Sequence, residues 1–567
     1  MAQLSDNSSG GLRRMLSRHA PKTLKRIYRN LRGIEDPEAM WERVAKMRKR
    51  FHRSRPIRSA TNAKKVLFNS QFSWPYAVVE YTVAAALRER GYEVKMFACG
   101  GLPKYCELMT STQERPPCDA CRANVESRFN AFGLPHSAVS DHITDRDREE
   151  ATRIAADTPI GALRALVEDG VPVGQLAFFN LFQYFKGYPF DLSGEVAQVY
   201  RDALSSAILV SRGAARILDE FQPDVVCTAN GKFLQWSPFI YQAVKRNIQY
   251  VTWEDYQIRP GAVAFASNDI AHESRQTAVW RTELEKPLTE AELRTVREHY
   301  SLWSKGEVTP WAGYDSAASN TAAGLRARLN LRDSVPVVAI FPNLSWDASS
   351  VGFETAFSSM YDWVYNVVAY ASRRPDVDFV IRAHPAEARL PQQYRPPVPV
   401  CEAIRREFAV IPSNVHLVEG GEPVSSYELA ELASVNMVYT STLGIELPLR
   451  GIRPWAAAGP YYAGKGFTLD IESAEHMIKL LDADTFDNRL SSGEVARAER
   501  MAYLIRFRGV FDFPYMPAAG EFSAPNWAAL APGGSPILDE ICAKVMNHEP
   551  FIDLAVRSVT RVAQGAA

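Results

Sequence analysis

Three short stretches carry side chains whose types and spacing suit a shared chemistry. In the first, Thr440-Ser441-Thr442 and Gly444 follow an apolar run at 435–439 and precede a helical pattern that begins near Ile445. A strand, a small-residue turn and a helix start leave backbone N–H groups and the positive end of a helix dipole at one place. The Ser441 and Thr442 hydroxyls add donors there, a combination suited to a phosphate; the plain alternative is a helix cap. Glu446, in the first helical turn, either complements the dipole or accepts hydrogen bonds from sugar hydroxyls. Gly459, Gly464 and Gly466 break the chain around Tyr461, Tyr462 and Lys465, placing aromatic and cationic groups near the same strand end.

The second stretch, Arg382-Ala383-His384-Pro385-Ala386-Glu387, ends another apolar run at 377–381. Ligands of an open parallel sheet sit at the carboxyl ends of its strands, so His384 and Ser441 are expected to face one crevice. The third pairs Asn230-Gly231-Lys232 with Glu254-Asp255-Tyr256, each following a short strand pattern, 224–228 and 249–253. Adjacent carboxylates offer a general base if burial or mutual repulsion raises a pKa, or a nucleophile for double displacement; otherwise they cap a surface turn.

The elements needed to position these groups alternate between strand and helix. A β-α-β unit is predicted at 66–68, 76–88 and 92–97, with Asn69-Ser70-Gln71 at its first carboxyl end, and a second at 224–228, 238–245 and 249–253. Between them lies a helical insertion containing the aromatic run 178–188. A helical link at 287–306 leads to a second domain with strands at 335–341, 377–381, 415–418 and 435–439 and helices at 353–371 and 426–433. A last helix, 537–545, is placed to return to the first domain.

The motifs at 382–387 and 440–454, then Gly459-Pro460-Tyr461-Tyr462-Ala463-Gly464-Lys465-Gly466, resemble the capsular polysaccharide biosynthesis family, which includes GT-B glycosyltransferases of the β-Kdo transferase type. The resemblance spans roughly 335–470 and takes in Phe341-Pro342-Asn343-Leu344-Ser345-Trp346-Asp347-Ala348. It implies two Rossmann-like domains facing a cleft. It also implies sugar transfer from a CMP-, UDP- or GDP-linked donor to a surface polysaccharide or lipid-linked glycan, with His384, Ser441 and Thr442 on the donor phosphate. Asn343, Trp346 and Asp347 are carried over as donor contacts. The expected donor set is Asn343, His384, Glu387, Ser441, Thr442, Gly444, Glu446, Tyr462 and Lys465; the expected catalytic set is Glu254, Asp255 and His384. The chemistry needs no metal, and no convincing Asp-x-Asp pair follows a strand. Polyol-phosphate transfer of the teichoic-acid type, sugar-nucleotide epimerisation and a non-catalytic scaffold are the competing readings.

Four of the seven cysteines, Cys99, Cys106, Cys118 and Cys121, crowd into one stretch. The Cys118–Cys121 spacing can chelate one ion, so a structural zinc is expected against the alternative of packed thiols. At 567 residues the chain is long enough for two large domains. The expected divisions are a basic amphipathic extension at 1–60, an acceptor domain at 61–310, a nucleotide-sugar domain at 311–490 and a helical return at 491–567. Lys+Arg and Asp+Glu are equal at 65, which argues against a nucleic-acid coat. The balance is uneven locally: basic residues dominate the first sixty, with Trp41, Val44, Met47 and Phe51 at helical spacing. Such a helix suits an anionic membrane surface or a partner; the alternatives are a helix packed on the domain behind it or a disordered arm. No apolar run reaches the length of a membrane span and no secretory pattern opens the chain, so a cytoplasmic protein, peripheral at the inner membrane, is expected.

Overall fold

The computed structural model describes residues 37–55, 63–71, 77–111, 118–187, 191–255, 261–271, 273, 277–305, 322–483, 486, 488–513, 515 and 525–552. Short runs rich in Val, Ile and Phe become strands buried on both faces, as parallel strands covered by helices require. The first domain holds β1 (Lys65–Asn69), β2 (Glu93–Ala98), β3 (His136–Ala138), β4 (Val225–Ala229), β5 (Gln249–Asp255) and β6 (Ala262–Ser267). The second holds β7 (Val337–Phe341), β8 (Asp378–Arg382), β9 (Val415–Val418), β10 (Val435–Val438), β11 (Pro454–Ala456) and β12 (Leu469–Asp470). A last strand, β13 (Val510–Asp512), returns to the first sheet and pairs antiparallel with β6.

The sheets run β13-β6-β5-β4-β1-β2-β3 and β12-β11-β10-β7-β8-β9. Counting from β1 and from β7, both follow the doubly wound order 3-2-1-4-5. The strand order therefore reverses between β1 and β4 in one sheet and between β7 and β10 in the other, and each reversal opens a crevice at the carboxyl ends. On β7, Val337, Ala339 and Phe341 join one core while Val338 and Ile340 join another, so helices cover both faces of the second sheet. The carboxyl edges meet: Lys232, after β4, lies with Nζ 3.8 Å from the centre of the Phe353 ring, beyond β7. This is the expected GT-B-like α/β architecture.

Two sequence expectations need correction, and one open alternative is decided. Helix Met360–Ala371 starts later than expected, because 342–359 form an irregular loop whose polar groups bond one another. Glu254 and Asp255 do not sit on a turn; β5 continues through both and pairs antiparallel with β6. The basic helix Pro37–His52 does not present its apolar stripe outward. Val44 is buried in the first domain's core and the Trp41 ring lies 6.3 Å from that of Phe132. Arg43, Lys46, Lys49 and Arg50 remain exposed, and basic residues up to 36 lie outside the described residues. The C-terminal helix Pro536–Asn547 docks on the helix Val78–Glu89, where Arg90 donates to Asp539 and to the Leu530 carbonyl.

Candidate active site

The second domain contributes loops from three strands adjacent in the sheet, β8, β7 and β10. Asn343 ties two of them together: its Nδ2 donates to Thr440 Oγ1 at 3.3 Å and to Ser349 Oγ at 3.1 Å. Its Oδ1 accepts the Leu344 N–H at 2.8 Å. Asn343 therefore shapes the crevice with bonds made inside the protein. Asp347 closes the same loop, Oδ1 accepting from the Ser349 N–H at 2.8 Å and hydroxyl at 2.7 Å.

Beyond β10 the helix is only Leu443–Glu446, four residues, because Pro448 lacks an N–H and blocks continuation. Its first N–H groups are already bonded, Gly444 to the Ser441 carbonyl at 3.0 Å and Ile445 to that of Thr442 at 3.0 Å. The expected helix-dipole site is thus reduced to the Ser441 and Thr442 hydroxyls. Tyr462 is fully buried and donates to the Ser441 carbonyl at 2.8 Å, so it braces this turn from behind instead of touching a ligand. Gly444 is needed for the same reason: a Cβ there would lie 2.1 Å from the Tyr462 ring. Glu446 is also turned inward, accepting from the Tyr427 hydroxyl. Lys465 is half-buried, donates to the Ala463 carbonyl at 3.3 Å, and has its pKa lowered by burial against the pull of Asp470.

After β8, the residues of the His-Pro motif divide their roles. Arg382 is buried and donates to the carbonyls of Ala383, Glu419, Glu422 and Val424, fixing the loop after β9. Glu387 is buried and accepts the Val400 N–H at 3.3 Å, capping helix Val400–Glu407 rather than facing the crevice. Burial pushes its carboxyl up to about 8. His384 stands between them at the end of β8. Its Nδ1 accepts the Ala386 N–H at 3.2 Å, which puts the ring proton on Nε2. Burial pulls its pKa down to about 4, against Asp347, which favours the charged form. His384 is therefore a neutral donor at physiological pH.

The first domain brings Glu254 to this crevice. Asn230, in the left-handed region at φ 50°, donates Nδ2 to Glu254 Oε2 at 2.9 Å and accepts the Lys232 N–H at 3.0 Å. Burial, aided by the charge of Asp255, pushes Glu254 up to about 8; Asp347 and Glu107 push the same way. Successive strand residues point to opposite faces, so Asp255 is turned away from the side Glu254 occupies. Lys232 is buried and ion-paired with Glu273 at 2.9 Å.

Sequence reasoning missed three residues of the interface. Gln183 donates to the Trp346 carbonyl at 2.6 Å. Lys186, at the C-terminus of helix Val173–Phe185 with φ 52°, donates to Gln183 at 2.8 Å and holds its ammonium 4.3 Å from the Trp346 ring centre. Burial lowers the Lys186 pKa and raises that of Glu107, each countered by the charge of the other. A lysine closing an aromatic helix was the available signal for Lys186; for Glu107, in an irregular loop, there was none.

The four clustered cysteines line one cavity at the carboxyl end of β2, together with Gln71. Among the described residues, no three His, Cys, Asp or Glu side chains converge closely enough to hold a metal ion.

No protein-family model matches the chain, and no curated protein matches it. Solved structures similar to it include the β-Kdo 2,4-transferase KpsC of Thermosulfurimonas dismutans, at 13% identity over 49% of this chain and 79% of that one, with a TM-score of 0.32. The β-Kdo 2,7-transferase KpsC of the same organism is 13% identical over 51% of this chain and 80% of that one, with a TM-score of 0.29. A UDP-GlcNAc 2-epimerase from Neisseria meningitidis is 10% identical over 78% of this chain and 99% of that one, with a TM-score of 0.23.

Proposed function

We propose that the chain is a glycosyltransferase that moves a sugar from a CMP-, UDP- or GDP-linked donor to a surface polysaccharide or lipid-linked glycan. The observation that supports this reading is the meeting of the two carboxyl edges, where Gln183 of the first domain donates to the Trp346 carbonyl of the second at 2.6 Å and Lys232 Nζ lies 3.8 Å from the Phe353 ring centre. A candidate base and a candidate phosphate donor thus flank one crevice. The donor phosphate is held by the His384 Nε2–H, the Ser441 and Thr442 hydroxyls and Lys465. Glu254, as carboxylate, takes the proton of the acceptor hydroxyl while that oxygen bonds to the anomeric carbon and the bond to the phosphate breaks. Charge on the leaving nucleotide is then met by preplaced donors, the usual source of large rate effects in a water-poor site, with no metal required.

The protein would work in the cytoplasm, at the inner face of a membrane. No described helix is long and apolar enough to cross one. The exposed Arg43, Lys46, Lys49 and Arg50 support contact with anionic lipid, each contributing about 1 kcal/mol near such a surface. Incubating the purified protein with a panel of nucleotide sugars, with and without glycan acceptors, tests the reading. Acceptor-dependent nucleotide release is expected. Sugar isomerisation without acceptor would mark an epimerase, and a melting temperature unmoved by CMP, UDP and GDP would mark a scaffold.

A further inference from the structure

We propose that Lys232 is a positioning residue that ties Glu254 of the first domain to the turn at Ser441 of the second, a role that rests on the glycosyl-transfer reading above. The tie begins at Asn230, which follows β4. Its backbone N–H donates to the Trp253 carbonyl at 2.9 Å, its Nδ2 donates to Glu254 Oε2 at 2.9 Å, and its Oδ1 accepts the Lys232 N–H at 3.0 Å. The backbone of Lys232 is therefore locked to the carboxyl that serves as base.

The side chain of Lys232 reaches the other domain. Its Nζ pairs with Glu273 Oε1 at 2.9 Å, the two side chains being 4% and 3% exposed, and lies 3.8 Å from the centre of the Phe353 ring, which belongs to the second domain's core. Its stem meets Gly352, at φ +77°, where a Cβ would come within 3.3 Å of Lys232 Cε and 3.0 Å of Phe179 Cζ. The second domain thus presents bare backbone and an aromatic face where the first domain presents a cation. Phe353 passes the contact on. Its carbonyl accepts the Gly459 N–H at 2.8 Å, at the start of Gly459-Pro460-Tyr461-Tyr462, and Tyr462 donates to the Ser441 carbonyl at 2.8 Å. A buried ion pair gives little net stability over apolar groups of the same volume. What the ammonium adds over such a group is attraction to the ring face, a directional contact that sets how the loop 352–353 stands against Asn230 and Glu254.

The test uses two full-length variants, one in each domain. Lys232→Met/Glu273→Gln removes both charges together and strands neither; Phe353→Leu keeps an apolar side chain and removes the ring. The double variant is expected to melt close to wild type, because no uncompensated ion is left buried. Hydrogen exchange without substrate is expected to speed up across the interface: at 459–464 in the double variant and at 230–236 in Phe353→Leu. In acceptor-dependent transfer both should lose about 10- to 100-fold in kcat while keeping wild-type affinity for whichever of CMP, UDP or GDP the wild type binds, as a misplaced reacting pair requires. Exchange that changes only within the altered domain would overturn the tie, and wild-type kcat in a variant with faster exchange would overturn the positioning role. A double variant that does not fold would make Lys232 a structural residue and overturn the proposal too. Because exchange is read without substrate, a wild type that transfers no sugar would refute the glycosyl-transfer reading and leave the contact between the domains to be judged by exchange alone.

Discussion

Glu254→Gln is expected to make the protein more stable and nearly inactive. The carboxyl moves from its ordinary 4.5 to about 8 on folding, chiefly through burial. A raised carboxyl pKa means that the folded state binds a proton the unfolded chain releases, so stability is full below pH 4.5 and is lost as pH rises toward 8. At 1.36 kcal/mol per pH unit the loss is at most about 5 kcal/mol, and about 1–2 kcal/mol once solvent at the cleft mouth screens the charge. Glutamine keeps the acceptor that Asn230 needs and removes the charge. At pH 9 the variant's first-domain transition should therefore lie above wild type by about 2–4 °C per kcal/mol recovered, and at pH 4 the two should coincide. Activity should fall about 10²- to 10⁴-fold, as for loss of a general base, and the rise of kcat/KM through pH 8 should vanish. Calorimetry and a pH–rate profile check both halves. Equal melting at pH 9, or an unchanged alkaline rise in rate, would refute the assignment.

His384→Ala should weaken nucleotide binding about ten- to a hundredfold with little change in melting temperature; calorimetric titration shows it, and lost stability with intact binding would make the residue structural. Gly444→Ala forces a methyl into the Tyr462 ring and should cost about 1–3 kcal/mol, read as a lower melting temperature together with weaker nucleotide binding. Changing Arg43, Lys46, Lys49 and Arg50 to Gln should leave helix content unchanged and reduce binding to anionic vesicles at low salt, whereas deleting residues 1–60 should destabilise the first domain by removing Val44 from its core.

How much of this was legible in the sequence depends on how local each cause is. The strands at β1, β4, β7, β8 and β10 are short apolar runs bounded by polar turns, and periodicity alone places them within a residue or two. His384 and Ser441 follow strand ends, so their shared edge was readable before the sheet order was known. The roles of Glu387, Glu446 and Tyr462 were not, because each is decided by a partner remote in sequence or space: the Val400 N–H, the Tyr427 hydroxyl and the Ser441 carbonyl. A motif shows which side chains are present, but not which way they turn. The same limit applied to the basic helix, whose apolar stripe suited a membrane or the domain behind it until Phe132 supplied its partner.

The interdomain chemistry lies furthest from the sequence, since it depends on two folded edges meeting. Lys186 and Glu107 lie 79 positions apart and acquire meaning only when helix Val173–Phe185 carries Gln183 to the Trp346 carbonyl. That contact places a buried ammonium against the Trp346 ring, with the charges of Glu107 and Asp347 acting both on Lys186 and on Glu254. Separating the two edges would break the Gln183–Trp346 bond and part Lys186 from the Trp346 ring. On the proposed mechanism, closure of the two edges would both raise the proton affinity of Glu254 and bring acceptor and donor together.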